Sequence, residues 1–238
     1  MGINILYDEK WLTLGITRFI TWLPAEAPHA VVCGSTGSGK TYFSKLLLGK
    51  LSLYEPDAKI YLNDFKGDDD FLFLSGCKRF YRYDACKDGL QQFYEQFQSR
   101  QSGEDKSRNM LILFFDEWAA YCNSIDDKKQ LEAEKKKLAN CLMLGRSFRC
   151  HVAISQQRCD AIYFSAARDN FNLVIGLGNL SEEAKNMLFH EFKKDMLPDR
   201  KRGTGYMLTN GANLTSIQVP AITNWQKLHD TIKYGVTR

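Results

Sequence analysis

Residues 34–41, Gly34-Ser35-Thr36-Gly37-Ser38-Gly39-Lys40-Thr41, constrain this chain more than any other stretch. The glycines encode a curled loop that side chains would obstruct. The loop follows a short apolar run, Ala30-Val31-Val32-Cys33, and leads into Phe43, Leu46, Leu47 and Leu51 at helical spacing. A buried strand, a glycine-rich loop and a helix N-terminus together make an anion nest, because the loop N–H groups and the helix dipole point at the same place. Gly34 through Thr41 are therefore read as the phosphate cradle for ATP. Lys40 is expected to reach the β- and γ-phosphates, and Thr41 to place its hydroxyl on Mg2+.

A second stretch supplies acid. Leu111-Ile112-Leu113-Phe114-Phe115 is an apolar run, too short for a helix, that ends in Asp116-Glu117. It reads as a buried parallel strand delivering two carboxyls to its C-terminal end. Asp116 would hold Mg2+ through water, and Glu117 would polarise the attacking water. Acidic residues also cap helices at such places, but after a phosphate loop the catalytic reading is the stronger. Gln156-Gln157-Arg158 follows another strand pattern, His151–Ser155. A polar side chain there would lie between the phosphate loop and the Asp116 strand, within reach of a γ-phosphate, or it would simply face solvent. No Asn/Thr-Lys-x-Asp base reader is present, and Leu74-Ser75-Gly76-Cys77 breaks off before it becomes a transporter signature.

Further strands are predicted at Lys59–Asn63, Arg79–Tyr83 and Leu173–Gly176, with a closing hairpin from Gly205–Leu208 and Thr215–Val219. Leu90, Phe93, Tyr94 and Phe97 mark a helix face, and residues 127–147 a charged helix read as a solvated surface with Glu132 and Glu134 pairing its lysines. Alternating strands and helices predict an α/β fold with a mostly parallel central sheet and helices on both faces. Residues 1–28 are expected to be a lead-in packed on the core, and 29–238 a single RecA-like domain.

Bulk properties exclude little. The chain has 238 residues and a net charge of +4, which allows a polyanion partner without arguing for one. Seven cysteines with no C-x-x-C pair fit a reduced, cytoplasmic compartment, with Cys33 and Cys141 in the core. The N-terminal apolar stretch is interrupted by Arg18, Pro24 and Glu26, so no direct membrane insertion is expected.

These motifs together resemble the FtsK/SpoIIIE branch of the FtsK–HerA DNA-pumping ATPases. The resemblance is carried by Pro28 through Lys40, by Asn63-Asp64-Phe65-Lys66-Gly67, and by Arg146–His151 followed by Ser155-Gln156-Gln157-Arg158. Ala167–Phe171 and Gly203–Leu208 continue it, so it spans about Pro28 to Pro220. It implies a RecA-like motor of the strand-end-glutamate type that assembles as a ring, usually a hexamer, around double-stranded DNA. By position, Gln157 matches the family's strand-end glutamine, and Arg146 an arginine that reaches a neighbour's nucleotide. A helix-end cation bonded to carbonyls is an equal reading of Arg146. Arg158 and Arg168 stand in reserve for the trans role. Cys159 replaces the family's proline, and Ser155-Gln156 its Ala-Thr. The family's winged-helix sequence reader, linker and membrane domains have no room here, so a bare motor is expected.

Two functions follow from this resemblance. One is a DNA translocase serving plasmid, transposon or phage DNA, with Arg200-Lys201-Arg202 as the candidate phosphate-contacting loop. Both that loop and Lys193-Lys194 also read as solvated turns. The other is an ATP-switched scaffold that recruits a relaxase, replication or membrane partner without pumping DNA. A small-molecule kinase is a third class, to which Glu117 is of little use.

Overall fold

The computed structural model describes residues 2–238. Ten strands form one sheet in the order β2-β1-β10-β9-β8-β3-β7-β6-β4-β5. They are β1 (Ile3–Asp8), β2 (Phe19–Trp22), β3 (Ala30–Cys33), β4 (Lys59–Asp64), β5 (Phe80–Arg82), β6 (Leu111–Asp116), β7 (Cys150–Gln156), β8 (Leu173–Leu177), β9 (Thr204–Thr209) and β10 (Asn213–Gln218). The helices are α1 (Glu9–Leu12), α2 (Lys40–Tyr54), α3 (Cys86–Ser102), α4 (Trp118–Asn123), α5 (Lys128–Leu144), α6 (Glu182–Leu188) and α7 (Trp225–Thr237).

From β5 to β8 every pairing is parallel. Strands β3, β6, β7 and β8 are buried along their whole length, as continuous apolar runs with helices on both faces require. Alternate residues feed two cores. Val31, Tyr61, Leu113 and Val152 face α3 and α5, while Val32, Ile60, Ile112 and Ile175 face α2 and α7. Beyond β8 the pairings turn antiparallel through β9, β10, β1 and β2.

The sequence reading needs amending in five places. The lead-in is not merely packed on the core: β1 and β2 extend the sheet itself, with Tyr7 opposite Gln218. The third strand is shorter than expected, because Tyr83 has a left-handed backbone (φ 51°) that ends the pairing at Arg82. The charged helix ends at Leu144, and Gly145–Phe148 tightens into a 3-10 turn. Its Glu134 is buried rather than solvated, accepting from the Tyr121 hydroxyl (3.0 Å) and the Lys137 ammonium (2.7 Å). Helix α7 had no counterpart in the sequence reading; its Ile232 and Val236 are fully buried beside α2 and β4. All seven cysteines are free, with Cys33 and Cys141 in the core. Among the described residues, no helix is long and apolar enough to cross a membrane.

Candidate active site

The parallel strands end together on one edge of the sheet. Asp64, Asp116 and Ser155 are register neighbours at the ends of β4, β6 and β7, and Cys33 pairs with Gln156 at the end of β3. Strand β7 thus lies between the phosphate loop and the acidic strand, which is where the sequence placed its glutamines.

The loop is built by positive-φ glycines, Gly37 (82°) and Gly39 (103°), the latter serving as the N-cap of α2. A Cβ on Gly34 would come within 2.5 Å of Leu177 O and Ser38 Oγ, so only glycine fits against β8 there. The Lys40 ammonium donates to Gly34 O (2.7 Å) and Ser35 O (3.3 Å). Burial lowers its pKa, opposed by the Glu117 and Asp116 carboxylates.

Asp116 is 4 % exposed. Burial pushes its carboxyl up to about 7, with Glu117 and Asp64 adding repulsion. Burial likewise raises Glu117, against the pull of Lys40 and Gln157. The Glu117 backbone is left-handed (φ 60°, ψ 52°), and its N–H is tied to Ser155 O at 2.7 Å. A non-glycine residue there costs about 1–3 kcal/mol, the kind of strain that collects at functional sites. Asp64 is fully buried, accepts from Gly67 N–H (2.9 Å) and pairs with Arg82 (3.2 Å). This pins the Asp64–Gly67 turn so that Lys66 reaches the site.

A cavity of about 350 Å³ gathers these groups: Thr36, Gly37 and Gly39–Thr41 of the loop, with Lys66, Asp116, Glu117 and Gln157. The donor set fits Mg2+. Asp116 is a buried carboxyl destabilised by like charge, which a divalent cation would relieve. No three His, Cys, Asp or Glu side chains among the described residues are grouped to hold a metal by themselves. Thr41, Asp116, water and nucleotide phosphates would therefore share it.

The other sequence candidates separate. Gln156 is buried, and neither atom of its amide has a partner among the described residues. Arg146 lies outside its own chain's cavity. It precedes β7, at the opposite edge of the sheet, where its Nε donates to Ala25 O (3.0 Å). Arg158 is an exposed cation paired with Asp160 (3.1 Å), and Arg168 lines a different cavity beside Phe171 and Asn210. The basic loop needs correction. Arg200 is not a free DNA-facing cation. Its guanidinium meets Glu9 at 2.6 Å and lies 4.8 Å from the Tyr206 ring centroid, leaving the side chain 11 % exposed. Arg202 lines the phosphate cavity, and Lys201, exposed like Arg202, does not line it.

Residues that sequence reasoning missed complete the wall: Tyr42, Lys45, Asp70 and Trp225. Trp225 meets Tyr42 edge-on at 5.4 Å. Asn224 caps α7, and Leu228, Ile232 and Val236 repeat every fourth residue, so the helix was legible. The packing of its first residue against Tyr42, beside the cavity, was not.

This geometry has relatives. The Ftsk domain-containing protein YdcQ of Bacillus subtilis (strain 168) is 25 % identical across 92 % of this chain and 48 % of its own length. The chain is FtsK-like. It therefore spans about half the length of the curated relative it matches. The FtsK-like fold recurs in solved structures. The pCW3 conjugation coupling protein TcpA, determined with ATPgS, has a TM-score of 0.70 and 20 % identity, covering 92 % of this chain and 65 % of that one. The cytoplasmic domain of the Thermomonospora curvata type VII secretion ATPase EccC has a TM-score of 0.68 and 20 % identity over 99 % of this chain and 31 % of that one. No protein-family model matches the chain.

Proposed function

We propose that this chain is an ATP-hydrolysing motor of the FtsK type that translocates double-stranded DNA in the cytoplasm as part of a ring. The observation that supports this best is the convergence of the phosphate loop, Asp116, Glu117 and Gln157 on one cavity, with β7 between the two halves. Lys40 and the loop N–H groups hold the phosphates. Thr41 and Asp116 would hold Mg2+, which would supply charge neutralisation at the phosphates. Glu117 takes the proton of the attacking water, and Gln157 orients that water. Arg146, remote from its own cavity, serves the neighbouring chain's nucleotide, so turnover per chain depends on assembly. DNA would be gripped through its phosphates, without base reading.

The test is ATPase rate with and without duplex DNA over a salt series. Stimulation that fades as salt rises supports the motor; a rate indifferent to DNA at every salt concentration sinks it. The tethering of Arg200 favours one second reading, an ATP-switched scaffold for a DNA-processing partner, since it removes a cation from the DNA-facing loop. Glu117→Gln separates the two: both would trap ATP, and only the scaffold would still recruit its partner in full.

A further inference from the structure

The loop from Asp199 to Gly203 joins distant parts of the chain at the mouth of the phosphate cavity. It is bolted to the phosphate loop, because Gly203 N–H donates to Ser38 O at 3.0 Å. A Cβ on Gly39 would sit 3.3 Å from Gly203 N and 3.8 Å from Arg202 Cγ, so the two loops are in van der Waals contact. At its other end the loop is anchored by Arg200. That residue's N–H donates to Asn179 Oδ1 (2.6 Å), and its guanidinium donates to Glu9 Oε2 (2.6 Å) and Gly205 O (3.1 Å). Glu9 opens α1, in the segment that precedes the phosphate loop by sequence and joins the sheet through β1.

The cations lining the cavity differ in their engagement. Lys40 is held by Gly34 O, Lys45 pairs with Asp70 at 2.7 Å, and Lys66 pairs with Asp68. Arg202 has no hydrogen-bond or ion-pair partner among the described residues, although Asp116 and Glu117 line the same cavity. An arginine held beside a phosphate cradle by a braced loop, with its planar donor fork unspent, is suited to phosphate oxygens, which it can engage bidentately.

We propose that Arg202 is a phosphate-contacting catalytic residue of its own chain's nucleotide site, and that the Glu9–Arg200 pair is the positioning device that holds it there. The proposal rests on reading Gly34–Thr41 as an ATP site. Arg202 offsets charge on the triphosphate as the terminal P–O bond breaks and electron density moves onto the leaving oxygen. The chain therefore brings a cation of its own to the reaction, beside whatever a neighbour supplies. The N-terminal segment is a structural part of the catalytic apparatus, since displacing α1 releases Arg200 and lets the arginine loop drift.

Steady-state ATPase kinetics and binding of a fluorescent ADP analogue test this on Arg202→Ala, Arg202→Lys, Glu9→Gln and the Glu9→Gln/Arg202→Ala double variant. Thermal unfolding serves as the folding control. Arg202→Ala should lower kcat/KM by about 10²–10³-fold, the cost of removing one donor at developing charge, and Arg202→Lys should recover part of it. Glu9→Gln should lower kcat/KM by about tenfold alone and add nothing in the Arg202→Ala background, as expected of a group acting through the arginine. An Arg202→Ala enzyme within about twofold of wild type overturns the proposal. Full additivity of Glu9→Gln with Arg202→Ala overturns the positioning role. A Lys40→Ala chain that binds the nucleotide as well as wild type overturns the ATP-site reading, and this proposal with it.

Discussion

The two edges of the parallel sheet are built from the same strands yet obey opposite rules. At the N-terminal edge, polar groups are provided for, the buried histidines and the more exposed arginines alike. His151 Nδ1 lies 2.8 Å from Pro28 O, His29 Nδ1 accepts from Val152 N–H at 3.1 Å, Arg149 pairs with Glu55 at 2.9 Å, and Arg146 donates to Ala25 O. His29 Nε2 is the exception. At the C-terminal edge, several buried polar atoms go without. Ser38 Oγ, Asn63 Oδ1, Ser155 Oγ and both amide atoms of Gln156 lack partners, Asp116 repels Glu117 and Asp64, and Glu117 holds a left-handed backbone. A buried unsatisfied polar group costs about 1–3 kcal/mol. One edge therefore contributes stability, and the other carries strain that a bound nucleotide and cation would relieve.

Substitutions at the two edges can break this contrast. The largest effect is expected from Glu117→Gln, which should keep nucleotide binding and lower turnover by about 10²–10⁴-fold, the range of general-base catalysis. Loss of binding instead, in a direct titration, would make Glu117 part of the cradle. At the other edge, His151→Ala should cost about 1–3 kcal/mol in denaturant unfolding, by stranding Pro28 O, with kcat/KM unchanged. A fall in turnover without a fall in stability would erase the division between the edges.

Asp116→Asn should raise the melting temperature of the nucleotide-free protein while abolishing turnover. Its folded-state pKa is raised to about 7, so the stabilisation linked to it is full at low pH and lost as pH rises through about 7. The advantage of the variant should therefore grow from about pH 4 to about pH 7 and level off above that, at about 2–4 °C per kcal/mol. The histidines carry the opposite sign. Burial lowers His29 to about 3 and His151 to about 4, and each ring also meets a second cationic ring or side chain nearby. Their contribution is full above the unfolded value of about 6.5 and is lost as pH falls toward about 4. In the Asp116→Asn background, where the opposing carboxyl is gone, melting temperature should drop across that window. The smallest effect is expected from Arg158→Ala, whose exposed pair with Asp160 is worth about 0–1 kcal/mol. A measurable rate loss there would return Arg158 to the site.

Much of the parallel half was legible in the sequence. Strands β3, β4, β6, β7 and β8 are short apolar runs whose burial on both faces leaves no polar alternation to misread. The phosphate loop and Asp116-Glu117 sit where such runs stop. Less of the antiparallel extension was readable. The β9–β10 hairpin showed through alternation, while β1 and β2 escaped because β10, the strand that ties their hairpin into the sheet, lies some two hundred residues away. Glu134 misled for a related reason: it lies among the charges of a lysine- and glutamate-rich helix, and the Tyr121 hydroxyl that reaches over to it from α4 comes from a distant part of the packing.

What the sequence alone determined, then, was local. A glycine loop before a lysine makes a phosphate cradle wherever a strand and a helix flank it, because backbone conformation and the helix dipole depend on neighbours in the chain. Tertiary structure decided which charges attend that cradle. Arg200, Lys201 and Arg202 are adjacent in sequence and equivalent in composition, yet one is bound to Glu9, one is exposed outside the candidate cavity, and one lines that cavity. Charge and hydrogen bonding act through space, over a few ångströms, and sequence adjacency carries no information about which side chains the sheet will bring that close.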